Sequence, residues 1–226
     1  MKKTRRCAAR ALLAAVFIFA GPARADGFYM GMGFPGLINL GYSSPIQPGL
    51  NWRAEYGTGL NIHDDRSTSQ GLWGSYAVKA DRLSLLADWY PFNGQFRLVG
   101  GLNYNDIKGS LNASGRNGVL VNGKPQDLSN QTIEMQIKYQ TFTPYMGLGW
   151  GSHQKPENPG LGFYSELGLS LGHFNFDVNA PGLKAAAPYG NTTLQTDLEA
   201  EFSKVRDSTN KLKFLPNMAF GLVYRW

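Results

Sequence analysis

The chain has 226 residues, with 22 Lys+Arg against 16 Asp+Glu, 28 glycines, 13% aromatic residues and a single cysteine. Residues 1–25 hold six of the basic residues, none of the acidic ones and the cysteine, so residues 26–226 carry 16 charges of each sign. That balance takes away the main support for nucleic-acid binding, the missing cysteine excludes a disulfide, and no apolar run of 18 residues is left for a transmembrane helix.

The N-terminus has the three parts of a secretory signal. Lys2, Lys3, Arg5, Arg6 and Arg10 form a basic region, Ala11 to Ala20 an apolar one, and Ala23-Arg24-Ala25 a small-residue cleavage site. The expected division is a cleaved signal peptide at 1–25 and one domain at 26–226.

From residue 28 onward the chain alternates bulky apolar with small or polar side chains, the period of a strand with two unlike faces. Phe28 to Tyr42 sets Phe28, Met30, Met32, Phe34, Ile38, Leu40 and Tyr42 against Gly31, Gly33, Asn39 and Gly41. Leu50 to Ile62 sets Trp52, Ala54, Tyr56, Leu60 and Ile62 against Asn51, Arg53, Glu55, Gly57 and Asn61. Gly71 to Tyr90 is long, and its second half opposes Leu83, Leu85, Ala87 and Trp89 to Ser84 and Asp88. Phe96 to Tyr104 follows, with Arg97, Gly101 and Asn103 on its polar face. Ile133 to Trp150 begins with Ile133, Met135, Ile137 and Tyr139 as the outward row, opposite Glu134, Gln136 and Lys138. Leu161 to Val178 begins with Leu161, Phe163, Leu167, Leu169 and Leu171 outward, opposite Glu166 and Ser170.

The last two segments change phase, from Tyr139 to Phe142 and from Leu171 to Phe174, as at a β-bulge or where a strand leaves a bilayer. Leu194 to Phe202 supports two readings: a strand, or a helix whose stripe is Leu194, Leu198, Phe202 and Val205 after cap residues at 191–193. The connections Ser43–Gly49, Pro91–Gln95 and Gly151–Gly160 are short, whereas 63–70, 107–130 and 179–210 are longer and polar. Within 107–130, Asn117-Gly118 and Asn122-Gly123 flank an apolar triplet and favour a hairpin. Tyr42, Trp52, Trp89, Tyr90, Phe92, Phe96, Trp150, Phe163, Tyr224 and Trp226 gather at the short-turn end, the pattern of an aromatic girdle at a lipid headgroup layer.

The final segment, Phe214 to Trp226, carries Phe214, Pro216, Met218, Phe220, Leu222, Tyr224 and Trp226 on one face and Asn217, Ala219, Gly221 and Arg225 on the other. It resembles the closing strand of a Gram-negative outer-membrane β-barrel, although that family usually ends in Phe where this chain has Trp226. Residues 26–226 as a whole resemble the small OmpA/OmpX/OmpW-like barrels. The resemblance implies an all-β, antiparallel transmembrane up-and-down barrel of eight strands, located in the outer membrane after export. It also implies Gly221, Tyr224 and Trp226 as a signal to the barrel-assembly machinery, and outer-membrane lipids and lipopolysaccharide as surroundings. Seven segments alternate clearly; the eighth strand is either the 194–202 segment or a product of dividing the first one at Pro35-Gly36.

The polar strand faces supply a balanced set of charges, Arg53, Glu55, Asp88, Arg97, Glu134, Lys138, Glu166 and Arg225. An eight-stranded barrel is filled by its own side chains, so such a set reads as a packed lumen network. A structural, adhesive or surface-interaction role is the expectation, with an extracellular protein ligand at the loops. A narrow pore and a lipid A-modifying enzyme are the alternatives. Enzyme chemistry is thinly provided for: His63-Asp64-Asp65-Arg66-Ser67 and Ser170–His173–Asp177 hold suitable residue types, but triad members normally come from separate elements. No metal site and no cofactor are expected.

Overall fold

The computed structural model describes residues 26–67, 73–114, 117–121, 124–127, 132–151, 160–179 and 211–226, with single helical positions at 203, 206, 207 and 209. The expected signal peptide, and the 193–209 segment apart from those four positions, lie outside the described residues.

Alternating side chains build twelve strands: β1 (Gly27–Phe34), β2 (Ile38–Gln47), β3 (Leu50–Ser67), β4 (Trp73–Trp89), β5 (Phe96–Ser114), β6 (Asn117–Val121), β7 (Lys124–Asp127), β8 (Thr132–Tyr139), β9 (Phe142–Gly151), β10 (Gly160–Leu171), β11 (Phe174–Asn179) and β12 (Phe214–Arg225). Ten of them form one antiparallel sheet that closes on itself when β9 pairs β5 and β12 pairs β1. The continuous pieces β8–β9 and β10–β11 each count once, so the barrel has eight walls, in the order β1, β2, β3, β4, β5, β9, β10, β12. The N-terminal segment does divide at Pro35-Gly36, giving β1 and β2 and supplying the eighth strand. The β6–β7 hairpin is a separate two-stranded sheet.

Both ends of the described barrel, Gly27 and Arg225, are register partners at the end where β2, β4 and β9 also finish. The strands are unequal. β3, β4 and β5 run 18, 17 and 19 residues, against 8 for β1 and 12 for β12. About 9–11 tilted residues cross a bilayer, so the upper halves of β3, β4 and β5, together with β8 and β11, stand beyond the lipid-facing band.

Beyond the band the two faces exchange character. Along β8 and β9, Ile133, Tyr139, Thr143 and Tyr145 are all buried, so odd-numbered residues face inward throughout and there is no slip between the two pieces. Ile133, Met135, Ile137 and Tyr139 are therefore the inner row, and Glu134 and Lys138 the outer one, the reverse of the assignment from sequence. Phe174, Phe176 and Val178 on β11 likewise share the inner face, as register partners of Tyr139, Ile137 and Met135. Lipid outside demands apolar residues there; water outside leaves only the inner face to bury them.

A third exchange lies on β3. The register shifts between Gly57 and Leu60, with Gly59 at φ +104°, which turns Leu60 and Ile62 to the face of Ala80 and Val78 instead of continuing the Trp52–Tyr56 row.

Candidate functional site

The lumen is polar because its walls must be apolar on the outside. Arg53, Glu55, Arg82, Asp88, Arg97, Glu166 and Arg225 all point inward and are buried. Six of them form one lattice with Tyr145 and Asn217. Arg53 on β3 donates to Glu55 at 3.1 Å, to Asp88 at 3.4 Å and to Glu166 on β10 at 2.5 Å. Arg97 on β5 donates to the same Glu166 oxygen at 2.8 Å, and the Tyr145 hydroxyl donates to the other at 2.7 Å. Arg82 on β4 donates to Glu55 at 3.0 Å and to Asn217 on β12.

These contacts cross the barrel. In the ring of eight walls β3 stands four places from β10, and β4 four places from β12, so each pair is diametrically opposed. Arg53 also lies over the Tyr29 ring, with Cζ 5.5 Å from its centroid, and Arg97 over Tyr164 at 5.8 Å. Below the lattice Arg225 donates to the Tyr29 hydroxyl at 2.9 Å. Above it Asn103 and Asn217 both donate to Ser170, at 2.7 and 2.9 Å.

Small residues make room for this packing. A Cβ at Gly149 would collide with the Arg97 guanidinium, and one at Gly168 with the Tyr145 hydroxyl.

Of the eight charges expected in the lumen, the structure brings Arg53, Glu55, Asp88, Arg97 and Glu166 together and leaves Arg225 apart near the barrel's lower mouth. Glu134 and Lys138 are exposed on the outer face, because β8 lies beyond the lipid band, where the apolar row turns inward. Arg82 is a lattice member outside the set expected from the sequence: it follows Asp81 and immediately precedes Leu83, where the bulky alternation of its segment begins. The register signal was present, since Arg82, Ser84, Leu86 and Asp88 share one parity.

The short-turn end carries the aromatic cluster. Phe28 lies 5.6 Å from Tyr42 and 5.1 Å from Trp226, Tyr42 lies 5.6 Å from Trp52, and Phe96 lies 5.2 Å from Trp150, centroid to centroid. Trp89, Phe92, Trp150, Phe163, Tyr224 and Trp226 are exposed. Tyr90 is the exception: only 2% exposed, it turns into the lumen at the end of β4, where it cannot serve a girdle. Gly221 sits on the inner face, where a Cβ would strike the backbone of Met30 and Gly31.

One of the two enzyme-like groupings comes apart. Ser170 is buried in the lumen, whereas His173 and Asp177 are exposed on the outer face of the same wall. His63 is exposed, and the side chains of Asp65, Arg66 and Ser67 lie outside the described residues. Among the described residues no group of three or more His, Cys, Asp or Glu is placed to hold a metal ion.

No protein-family model matches the chain, and no curated protein matches its sequence. Solved structures do match. CarO2 of Acinetobacter baumannii superposes with a TM-score of 0.55 at 17% identity, over 89% of this chain and 98% of that one. CarO of the same organism gives 0.55 at 18% identity, over 88% and 97%. A major outer membrane protein of Thermus thermophilus aligns at 0.44 and 15% identity, over 90% of this chain and 100% of that one. At these identities the likeness to the two Acinetobacter structures is one of fold, and it agrees with the closed eight-walled sheet and its apolar outer band: the chain has the fold of a small outer-membrane β-barrel.

Proposed function

We propose that this protein is an occluded barrel of the outer membrane with a structural and surface-interaction role, rather than a pore or an enzyme. The observation that carries the reading is the bond from Arg53 to Glu166 between diametrically opposite walls. Arg53 and Asp88 are 0% exposed, and a solute would have to break a lattice in which each charge already has partners. Removing one partner of a buried pair costs about 3–5 kcal/mol. The separation of Ser170 from His173 supports a non-catalytic role. The five-stranded wall above the lipid band and the β6–β7 hairpin are the surfaces left for an extracellular protein ligand.

Planar-bilayer recording tests this. The wild-type barrel should give no stable single-channel steps. Arg53→Ala leaves Glu55, Asp88 and Glu166 facing only Arg82 and Arg97 within the lattice. It should open a small cation-selective leak. Steady steps from the wild-type protein would overturn the proposal in favour of a narrow pore.

A further inference from the structure

Three lysines stand in one cross-strand row on the outer face. Lys79 on β4 is the register partner of Lys108 on β5, and Lys108 is the partner of Lys138 on β8. Four residues from Lys108 and Lys138, toward the barrel, Tyr104 and Phe142 pair with their rings 5.2 Å apart, at the upper edge of the lipid-facing band. Between row and rings lie Asp81 and Asp106, also register partners. Lys79 bonds Asp81 at 2.9 Å and Asp106 at 2.5 Å, and Lys108 bonds Asp106 at 2.8 Å.

Like charges directly opposite one another destabilise a ladder, and two carboxylates do not neutralise three ammonium groups. Lys138 is exposed and forms no ion pair among the described residues. The other outward carboxylates on β8 and β11, Glu134 and Asp177, stand farther from the band, opposite Asn179 and Gln136. Spare positive charge therefore sits at the Lys108–Lys138 end of the row. Beneath it the lipid-facing wall has a hollow. Ala87 and Gly100 are outward register partners, a Cβ on Gly100 would meet nothing within 4 Å, and the larger Leu85, Leu98, Leu102 and Met146 surround them.

We infer that the Lys79–Lys108–Lys138 row is a docking site for the phosphate-bearing headgroup of lipopolysaccharide, with an acyl chain lying over the Ala87–Gly100 hollow. The inference rests on the outer-membrane reading above. Lysine stems can lie along the apolar wall while their ammonium groups stay at headgroup level, and charge-assisted bonds to phosphate are stronger than neutral ones. Lys138 and Lys108 hold the phosphate; Asp106 fixes Lys79 and Lys108 in register.

The test is lipid retention. Protein extracted from outer membranes in mild detergent is assayed for co-purified lipopolysaccharide, and refolded protein for binding to lipid A with and without its phosphates. The wild type should retain lipopolysaccharide and bind the phosphorylated lipid. Lys138→Ala and Lys108→Glu/Lys138→Glu should bind it at least about tenfold more weakly, the scale of one lost charge-assisted bond. Lys138→Ala breaks no internal bond and keeps the question open to test if the double variant folds poorly. Equal binding of the phosphate-free lipid, competition by inorganic phosphate alone at equal concentration, or full retention by Lys138→Ala would overturn the inference. A gel shift on heating, measured on the same membrane fractions, separates this failure from that of the outer-membrane reading. A folded, inserted barrel without lipid retention sinks the docking site alone, and an uninserted protein sinks the reading beneath it.

Discussion

At Gly149 on β9 the Arg97 guanidinium lies where a side chain would begin, and at Gly168 on β10 the Tyr145 hydroxyl does the same. Arg97 and Tyr145 both reach Glu166, so these two glycines set how closely the wall approaches the lattice. Gly100 faces the other way, into open space. The three make a discriminating set. Gly149→Val should overpack the lumen, lowering stability by about 1–3 kcal/mol in urea unfolding followed by loss of the heat-dependent gel shift. Gly100→Leu should leave that midpoint unchanged, because the new side chain meets only lipid. Equal losses at both positions would mean that the inner face is not the tightly packed one.

At the scale of elements, the ionic collar on β4 and β5 has a pH dependence that can be given a sign. Burial by itself would raise the Asp106 carboxyl, but hydrogen bonds from Lys108 and Lys79 outweigh it and hold Asp106 below its ordinary value of 3.8. A carboxyl depressed in the folded state contributes stability that is fully present above its unfolded value and is lost as pH falls through the folded one. The collar should therefore be intact at neutral pH and weaken only below about pH 4. The contribution is modest, on the order of 1 kcal/mol or less, because the pair is solvent-exposed. Carboxyl NMR titration of Asp106, with Lys108→Ala moving its midpoint upward, measures it. Loss of the collar near neutral pH would contradict the assignment.

The same elements show what the sequence could and could not reveal. The walls β4, β5, β9, β10 and β12 were legible within the lipid band, because a bilayer outside and a charged lumen inside leave only one phase for the alternation. On β8 and β11 the period is still two, but water replaces lipid outside. An apolar row such as Ile133–Tyr139 then reads identically whether it faces out or in. Glu134 and Lys138 were misplaced for that reason. Leu60 and Ile62 were misplaced for another, the shift at Thr58–Gly59, since only backbone geometry reports the positive φ that makes room for it. Five of the lattice charges were legible from parity, but their convergence on Glu166 depends on barrel closure, which brings β3, β5 and β10 together.

For the whole molecule, barrel closure and the extramembrane surface are separable. Ser114 at the top of β5 is the register partner of Thr132 at the start of β8, so these two strands are already positioned as a hairpin. Of the described residues between them, β6 and β7 pair only with each other. Loop length enters closure entropy only logarithmically, so shortening this excursion should cost the barrel little. We expect that replacing residues 117–127 with a short Gly-Ser linker leaves insertion, the heat-dependent gel shift and the silent lumen intact. The lattice through Arg53 and Glu166 involves none of the deleted residues. The same deletion should abolish any extracellular binding that depends on the hairpin, measured with intact cells against the parent strain. If the shortened protein fails to insert, the hairpin is part of the folding unit, and the division between a membrane barrel and a surface module is wrong.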